Sequence, residues 1–255
     1  MLVDSHCHLD FPDLADKLDL VFELMRANQV ERALCVSVTL EDFPRVRKLA
    51  ETYPHLHASV GAHPDYEGIT VTVGQLVTLA NHPRVVAIGE TGLDYYRLKG
   101  DLEWQRERFR THIRAARECG KPLIIHTREA AEDTLRIMHE ERAGEAGGVM
   151  HCFTESWEMA EAAMGMGFHI SFSGIVTFKN AKTLKEVARR VPLENMLVET
   201  DAPYLAPMPY RGKTNQPGYV RHVAAEIARL KGVTLEQVAQ KTTNNYYQLF
   251  RVIHD

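Results

Sequence analysis

The sequence alternates short apolar runs with amphipathic helical stretches eight times along its 255 residues. Runs such as Val85–Ile88, Leu123–Ile125 and Met196–Val198 are typical of buried strands, and each is followed by a helical stretch. Regular alternation of this kind predicts a parallel sheet, and eight such units closed on themselves form an α/β barrel of the (β/α)₈ type. An open doubly wound sheet is the alternative, but no glycine-rich dinucleotide turn follows the first run.

The length and the pattern also predict how the chain is divided. Single (β/α)₈ barrels typically have about 250 residues, so we expect one domain over residues 1–255. The periodicity predicts a first helix over 14–28 and a second strand over 33–38. It also predicts that the fourth strand ends just before Glu90.

Histidine and carboxylate side chains follow five of the apolar runs. They are His6, His8, Glu90, His126, His151 and Asp201. Strands of a parallel barrel end on a common face, so these side chains are expected to converge. Imidazoles and carboxylates on one face are the ligands that a divalent cation needs. The structural alternatives are polar residues that close a strand, a glutamate in a surface turn, or buried core histidines.

Two carboxylates of this set are predicted to be catalytic. Glu90 has two oxygens and is suited to bridge a pair of cations. Asp201 is expected at the barrel mouth, where it would bind a cation and take a proton from the attacking water. Glu199 alternates with Asp201 along a strand and is expected one layer deeper. There it would orient a ligand and would not bind the cation itself.

Four further residues are candidates for contact with substrate. His63 follows the third strand and either faces the substrate or has a structural role in a turn. Arg128 either binds a phosphate oxygen or pairs with an acidic residue of the next helix. Arg211 and Lys213 lie in a loop after the eighth strand, a position that often holds phosphate in α/β barrels. The alternative for this loop is a plain solvated connection.

Composition limits the class of protein. With a net charge of −4, the protein lacks the overall positive charge of a typical nucleic-acid binder, although bound cations can supply local positive charge. The four cysteines have no CxxC pairing, which predicts reduced thiols and a cytoplasmic location. No apolar run reaches the roughly 18 residues of a membrane span. We therefore expect no membrane contact, and a monomer is the simplest assembly.

Several motifs taken together resemble the TatD family of metal-dependent hydrolases, in particular its YcfH-type members, within the amidohydrolase-like superfamily. The similarity covers essentially the whole chain. The matching segments are Asp4–Asp10, Gly61–Pro64, Ile88–Tyr95, Gln105 with Phe109, Lys121–Arg128, His151–Thr154, Ser173–Gly174, Glu199–Tyr204 and Arg211–Pro217. Other binuclear barrels of the superfamily often bridge their metals with a modified lysine, whereas here Glu90 occupies the candidate bridging position.

The resemblance implies a two-metal centre and a nuclease activity. His6, His8 and Asp201 would hold one cation, His126 and His151 the second, and Glu90 would bridge. The cations would be Zn²⁺, Mn²⁺ or Mg²⁺, and two imidazoles on each favour zinc or manganese. The implied reaction is hydrolysis of DNA from its 3′ end, with single-stranded DNA or DNA 3′ ends as the partner and a metal-bound hydroxide as the nucleophile. Two alternatives remain: hydrolysis of a small cyclic amide, lactone or nucleobase, and a metal-dependent interaction protein without turnover.

Overall fold

Eight parallel strands form one sheet in the computed structural model, which describes residues 1–253. The strands pair in sequence order, and helices connect them. The strands are β1 (Leu2–Cys7), β2 (Val30–Cys35), β3 (Leu56–Val60), β4 (Val85–Asp94), β5 (Leu123–Arg128), β6 (Gly148–Met150), β7 (Phe168–Phe172) and β8 (Met196–Val198). The helices are α1 (Pro12–Ala15), α2 (Leu18–Ala27), α3 (Phe43–Thr52), α4 (Val73–Ala80), α5 (Glu103–Cys119), α6 (Ala131–Glu140), α7 (Trp157–Gly165), α8 (Lys182–Arg190), α9 (Val220–Lys231) and α10 (Leu235–Phe250). The predicted (β/α)₈ barrel is therefore confirmed.

The seam between β8 and β1 is closed by buried polar groups. The Asp201 N–H donates to the carbonyl oxygen of His6 at 2.9 Å. The backbone N–H and the hydroxyl of Thr200 both donate to the carboxylate of Asp4, which is fully buried. Burial raises the pKa of Asp4 well above its usual range. These contacts hold the start of the chain against the segment after β8, so residues far apart in sequence meet at this seam.

Apolar side chains fill the N-terminal end of the barrel. One cluster combines residues from six strands with Tyr246, Tyr247 and Phe250 of α10. Side chains from so many strands can meet only inside the barrel. The Thr243 hydroxyl of α10 donates to the carbonyl oxygen of Met1, which fixes the helix under this end. The opposite end, where the strands finish, is therefore the one available for a polar site.

The first helix and the second strand differ from their predicted limits. The single helix predicted over 14–28 is wrong, because the backbone leaves the helical region at Lys17, with φ of −132° and ψ of 22°. The second strand was predicted over 33–38, but β2 covers 30–35. The segment 36–38 instead continues toward the mouth of the barrel, where the Val36 carbonyl oxygen contacts His8 Nδ1 at 3.0 Å.

The ends of β4 and β8 also differ from prediction. β4 does not end before Glu90 but continues to Asp94, because its last residues pair with β5. β8 is short and ends at Val198, so Glu199 and Asp201 lie beyond it. Asp201 has a positive φ of 57°, so the strand alternation expected for this pair does not hold.

Candidate metal centre

The C-terminal ends of the strands surround a pocket of about 460 Å³. A volume of this size lies within the range of small-molecule sites. Five of the six candidate ligands line it, namely His8, Glu90, His126, His151 and Asp201. The sixth, His6, is fully buried and contacts this group. The predicted convergence of the six side chains is therefore observed.

One half of the centre is formed by the seam between β1 and β8. His6 Nε2 lies 3.3 Å from His8 Nε2 and 3.3 Å from Glu90 Oε2. Asp201 Oδ1 lies 3.6 Å from His6 Nε2 and 3.5 Å from His8 Nε2. Three imidazole or carboxylate donors, from His6, His8 and Glu90, lie within 4.8 Å of one another. This donor set fits a divalent cation that prefers nitrogen together with oxygen.

The other half is built around the second oxygen of the same carboxylate. Glu90 Oε1 lies 2.8 Å from His151 Nε2, 3.1 Å from His126 Nδ1 and 3.3 Å from His63 Nε2. The donors of His63, Glu90 and His126 also lie within 4.8 Å of one another. The two oxygens of Glu90 thus face two different sets of imidazoles. One carboxylate oxygen for each half is the arrangement that a bridge between two cations requires.

A close approach of two strands positions His126 against Glu90. Gly92 of β4 pairs with His126 of β5, and its φ is 134°. A Cβ atom at Gly92 would lie 2.0 Å from the carbonyl oxygen of His126. Only glycine fits both the backbone conformation and the space. This glycine therefore allows β4 and β5 to bring their two donors together.

Glu199 holds His151 in place from below. Glu199 Oε1 contacts His151 Nδ1 at 3.0 Å and accepts the backbone N–H of Cys152 at 2.8 Å. The carboxylate is 1% exposed, so both contacts are shielded from water. A carboxylate on the far nitrogen fixes the orientation of an imidazole and leaves the near nitrogen free for a cation. Glu199 therefore lies where it could orient His151, and its orienting role stays a prediction.

Asp94, the last residue of β4, is a further functional candidate beside His126. Its side chain is 1% exposed, and Oδ2 lies 3.2 Å from His126 Nε2. Oδ1 accepts the backbone N–H groups of Tyr96 and Arg97, both at 2.9 Å. Burial opposes ionisation, but the contact with His126 and the backbone donors lower the pKa of Asp94 to about 2. Asp94 therefore joins the loop after β4 to one of the candidate ligands.

Inside the centre, the neighbouring opposite charges change the pKa values of Glu90 and His151 more than burial does. Burial alone would raise the pKa of Glu90, but His151, His63 and His6 lower it well below its usual range. Burial would lower the pKa of His151, but Glu90 and Glu199 raise it well above 6.5. Glu90 is therefore ionised at neutral pH, as cation binding requires.

The predicted substrate contacts have different positions. His63 and Arg128 line the pocket. Arg128 stacks over the ring of Tyr96 at 3.8 Å and forms no ion pair with Glu129 or Glu132 among residues 1–253. Arg211 and Lys213 are exposed on the loop after β8 and are not part of the pocket wall. The Arg211 guanidinium instead lies 4.5 Å from the centre of the Phe178 ring.

Helix α5 supports the centre through residues for which the sequence indicated no role. Arg108 is 6% exposed and donates to the carbonyl oxygens of His63, Pro64 and Tyr66. Gln105, one turn earlier, accepts the Asp94 N–H at 2.9 Å. Their spacing of three residues puts both on one face of the helix. The sequence does not single out Arg108 among the arginines of α5, and it does not reveal which loop this arginine contacts.

A (β/α)₈ barrel with imidazoles and carboxylates gathered at the strand ends defines a class of metal-dependent hydrolases. Comparisons with known proteins identify the family within this class. The family model described as TatD related DNase matches residues 3–251. The metal-dependent hydrolase YcfH of Escherichia coli is 48% identical over 254 residues, which cover 98% of this chain and 96% of YcfH. This protein therefore belongs to the TatD family of metal-dependent hydrolases.

Two further comparisons agree with this assignment. The metal-dependent hydrolase YabD of Bacillus subtilis is 44% identical over 255 residues, covering 99% of this chain and all of YabD. The crystal structure of YjjV, a TatD homologue from Escherichia coli, superposes with a TM-score of 0.90 at 28% identity, covering 99% and 98% of the two chains. An organophosphorus hydrolase from Deinococcus radiodurans shares the fold alone, at a TM-score of 0.66 and 15% identity. No helix within residues 1–253 is both long enough and apolar enough to cross a membrane.

Proposed function

We propose that this protein is a binuclear, metal-dependent phosphodiesterase that removes nucleotides from the 3′ end of DNA. The observation that carries the proposal is the division of the Glu90 carboxylate between two donor sets. His6, His8 and Asp201 would hold one cation, His126 and His151 the other, and Glu90 both. The description of the family as TatD related DNase supports DNA as the substrate.

Bound cations would supply Lewis acidity and would lower the pKa of a coordinated water to about 7. Side chains of the protein would then accept the proton that the attacking water releases. The side chain of Asp201 is 16% exposed and lines the pocket, so it can accept the proton of the attacking water at its carboxylate. Contacts with His8 and His6 overcome the effect of burial and lower the pKa of Asp201, which keeps the carboxylate ionised.

Positive and hydrogen-bonding groups on the pocket wall would bind the phosphate. The Arg128 guanidinium is half-buried and forms no ion pair with its acidic neighbours, so it is available for a phosphate oxygen. His63 lies on the same wall beside Glu90 and would contact a second oxygen. Arg211 and Lys213 are outside the pocket and would reach only the part of a strand that extends beyond it.

The shape of the pocket favours attack at a strand end. The buried side chain of Glu90 lies at its floor, and apolar residues close the barrel beneath it. A pocket with a floor accepts a terminus, whereas an internal bond would require a groove open at both ends. We further propose that the enzyme acts as a monomer in the cytoplasm, in agreement with its four free cysteines.

The pocket volume also favours a second candidate, because about 460 Å³ suits a small cyclic amide or lactone. One assay separates the two candidates. Single-stranded DNA labelled at the 5′ end and a panel of small lactones and cyclic amides are each incubated with metal-free protein and then with added Zn²⁺, Mn²⁺ or Mg²⁺. Metal-dependent shortening of the DNA by single nucleotides supports the proposal. Turnover of lactones or amides alone would replace it with the second candidate.

The control for this assay is a matched glutamate pair. Glu90→Gln keeps the size of the side chain but removes the charge that two cations share, and it should abolish DNA cleavage. Glu161→Gln changes an exposed glutamate of α7 and should cleave at the wild-type rate. Near-wild-type cleavage by a folded Glu90→Gln variant would refute the assignment of the bridge.

A further inference from the structure

Charge divides the mouth of the pocket into two sides. Segments 8–13, 36–42 and 61–72 follow β1, β2 and β3, and their charged side chains, histidine apart, are all acidic. Segments 173–181 and 202–219 follow β7 and β8, and their charged side chains are all basic. These basic residues are Lys179, Arg211 and Lys213, and all three are exposed. We call these three residues the basic rim.

Contacts between the loops after β7 and β8 bring the basic rim together. The Thr177 hydroxyl oxygen accepts the backbone N–H of Met208 at 2.9 Å, which joins one loop to the other. The Arg211 guanidinium lies 4.5 Å from the centre of the Phe178 ring, and Lys179 is the next residue along the chain. The positive charges of two separate loops therefore lie on one surface.

The same two loops form part of the pocket wall. Ile175 of the loop after β7 lines the pocket, and so do Tyr204 and Leu205 of the loop after β8. A Cβ atom at Gly174 would lie 1.9 Å from the carbonyl oxygen of Leu205, so the two loops are in close contact at the wall. A chain that leaves the pocket over this wall therefore passes onto the basic rim.

The basic rim differs from other positive groups near the mouth because it has no acidic partner. Arg97 pairs with Asp65 at 2.7 Å, and Lys99 pairs with Glu129 at 3.7 Å. Within residues 1–253, no side chain of the basic rim forms an ion pair. Its positive charge is therefore available for an anionic ligand.

We propose that the basic rim binds the phosphates on the 5′ side of the scissile bond, so that a polynucleotide leaves the pocket across β7 and β8. This inference rests on the proposed phosphodiesterase function, in which the 3′-terminal nucleotide occupies the pocket. Lysine and arginine neutralise backbone phosphates, whereas the acidic side of the mouth repels them. The net charge of −4 does not oppose this path, because exposed charges more than about 10 Å away are largely screened at about 0.1 M salt.

The salt dependence of binding measures how many phosphates the basic rim contacts. A fluorescent oligothymidylate of about ten nucleotides is titrated with metal-free protein in chelator at several salt concentrations, and its anisotropy is measured. For a single strand, each neutralised phosphate contributes about 0.7 to the slope of log affinity against log salt. Each of Lys179→Gln, Arg211→Gln and Lys213→Gln should reduce the slope by about 0.7, and the triple variant by about 2. At about 50 mM salt, each single variant should bind roughly 8-fold more weakly than wild type, because the affinities converge near about 1 M.

A lysine outside the basic rim provides the matched control. Lys17 follows α1 and is exposed, so Lys17→Gln removes the same charge and should keep the wild-type slope. Arg211→Lys retains the charge and should also keep it. The inference is overturned if Lys17→Gln reduces the slope as much as Arg211→Gln does, because total charge would then explain the effect. It is also overturned if all three rim variants keep the wild-type slope.

Substrate length separates the basic rim from the proposed chemistry. Thymidylyl-thymidine has one phosphodiester and no phosphate on its 5′ side, so the triple variant should hydrolyse it at the wild-type rate with added Mn²⁺. On the longer strand at low salt, kcat/KM of the same variant should fall in proportion to its lost affinity. Failure of wild type to hydrolyse either substrate would count against the phosphodiesterase function. Hydrolysis of the longer strand at equal rates by wild type and the triple variant would count against the basic rim alone.

Discussion

Replacing Glu199 should weaken metal binding at the candidate centre without changing any of the six candidate ligands. In Glu199→Ala, the Nδ1 of His151 and the backbone N–H of Cys152 lose a buried acceptor. Loss of a carboxylate that orients a ligating imidazole typically costs 10- to 100-fold in metal affinity. Two unsatisfied buried donors would also lower the free energy of unfolding by about 2–5 kcal/mol. Glu199→Gln retains an acceptor oxygen and loses only the charge, so its affinity should lie between those of wild type and the alanine variant.

The assay is competition for Zn²⁺ against a fluorescent chelator, with folding checked by circular dichroism. Glu161→Gln serves as the exposed control and should bind zinc as wild type does. A folded Glu199→Ala variant with wild-type zinc affinity would refute the orienting role. It would also show that His151 needs no partner on its far nitrogen.

Three further outcomes follow from residues around the centre. Arg108→Met leaves one buried and two partly buried carbonyl groups without their donor, so thermal unfolding should show a loss of about 2–4 kcal/mol. Hydrogen exchange should also rise in residues 63–66, and unchanged exchange there would contradict the role of Arg108. Gly92→Ala puts a Cβ atom against a carbonyl oxygen and should destabilise the fold by several kcal/mol, whereas Gly74→Ala in α4, with open space, should stabilise it by about 0.5–1 kcal/mol. Burial lowers the pKa of His112 from 6.5 to about 4, so the unfolded chain binds the proton more readily than the folded protein does. The free energy of unfolding should therefore fall by about 3 kcal/mol as the pH drops from 6.5 to about 4. In urea titrations, His112→Gln should reduce this dependence of the unfolding free energy on pH, and an unchanged dependence would contradict the prediction.

The sequence predicts the positions of the candidate cation ligands better than the limits of the strands that carry them. The convergence of His6, His126 and Asp201 follows from the rule that parallel strands end on one face, which does not depend on exact strand limits. The predicted strand limits were wrong where a tertiary contact, and not the local sequence, determines the end of a strand. β4 extends past Glu90 because β5 offers it a partner as far as Arg128, and no local pattern reports that pairing.

The supporting groups were harder to predict because their roles depend on distant partners. Asp94 has the local sequence of a turn residue, and its contact with His126 becomes visible only once β4 and β5 are side by side. Arg108 is one of several arginines on α5, distinguished only by the carbonyl groups that it meets.

The number of cations bound per chain tests the central claim most directly. Metal-free protein is equilibrated with Mn²⁺ or Zn²⁺, and bound metal is measured by mass spectrometry for wild type and for Glu90→Gln. We expect two cations per wild-type chain and the loss of at least one in the variant, because each oxygen of Glu90 faces its own set of imidazoles. A single cation in wild type, or two retained in the variant, would contradict the bridging role of Glu90.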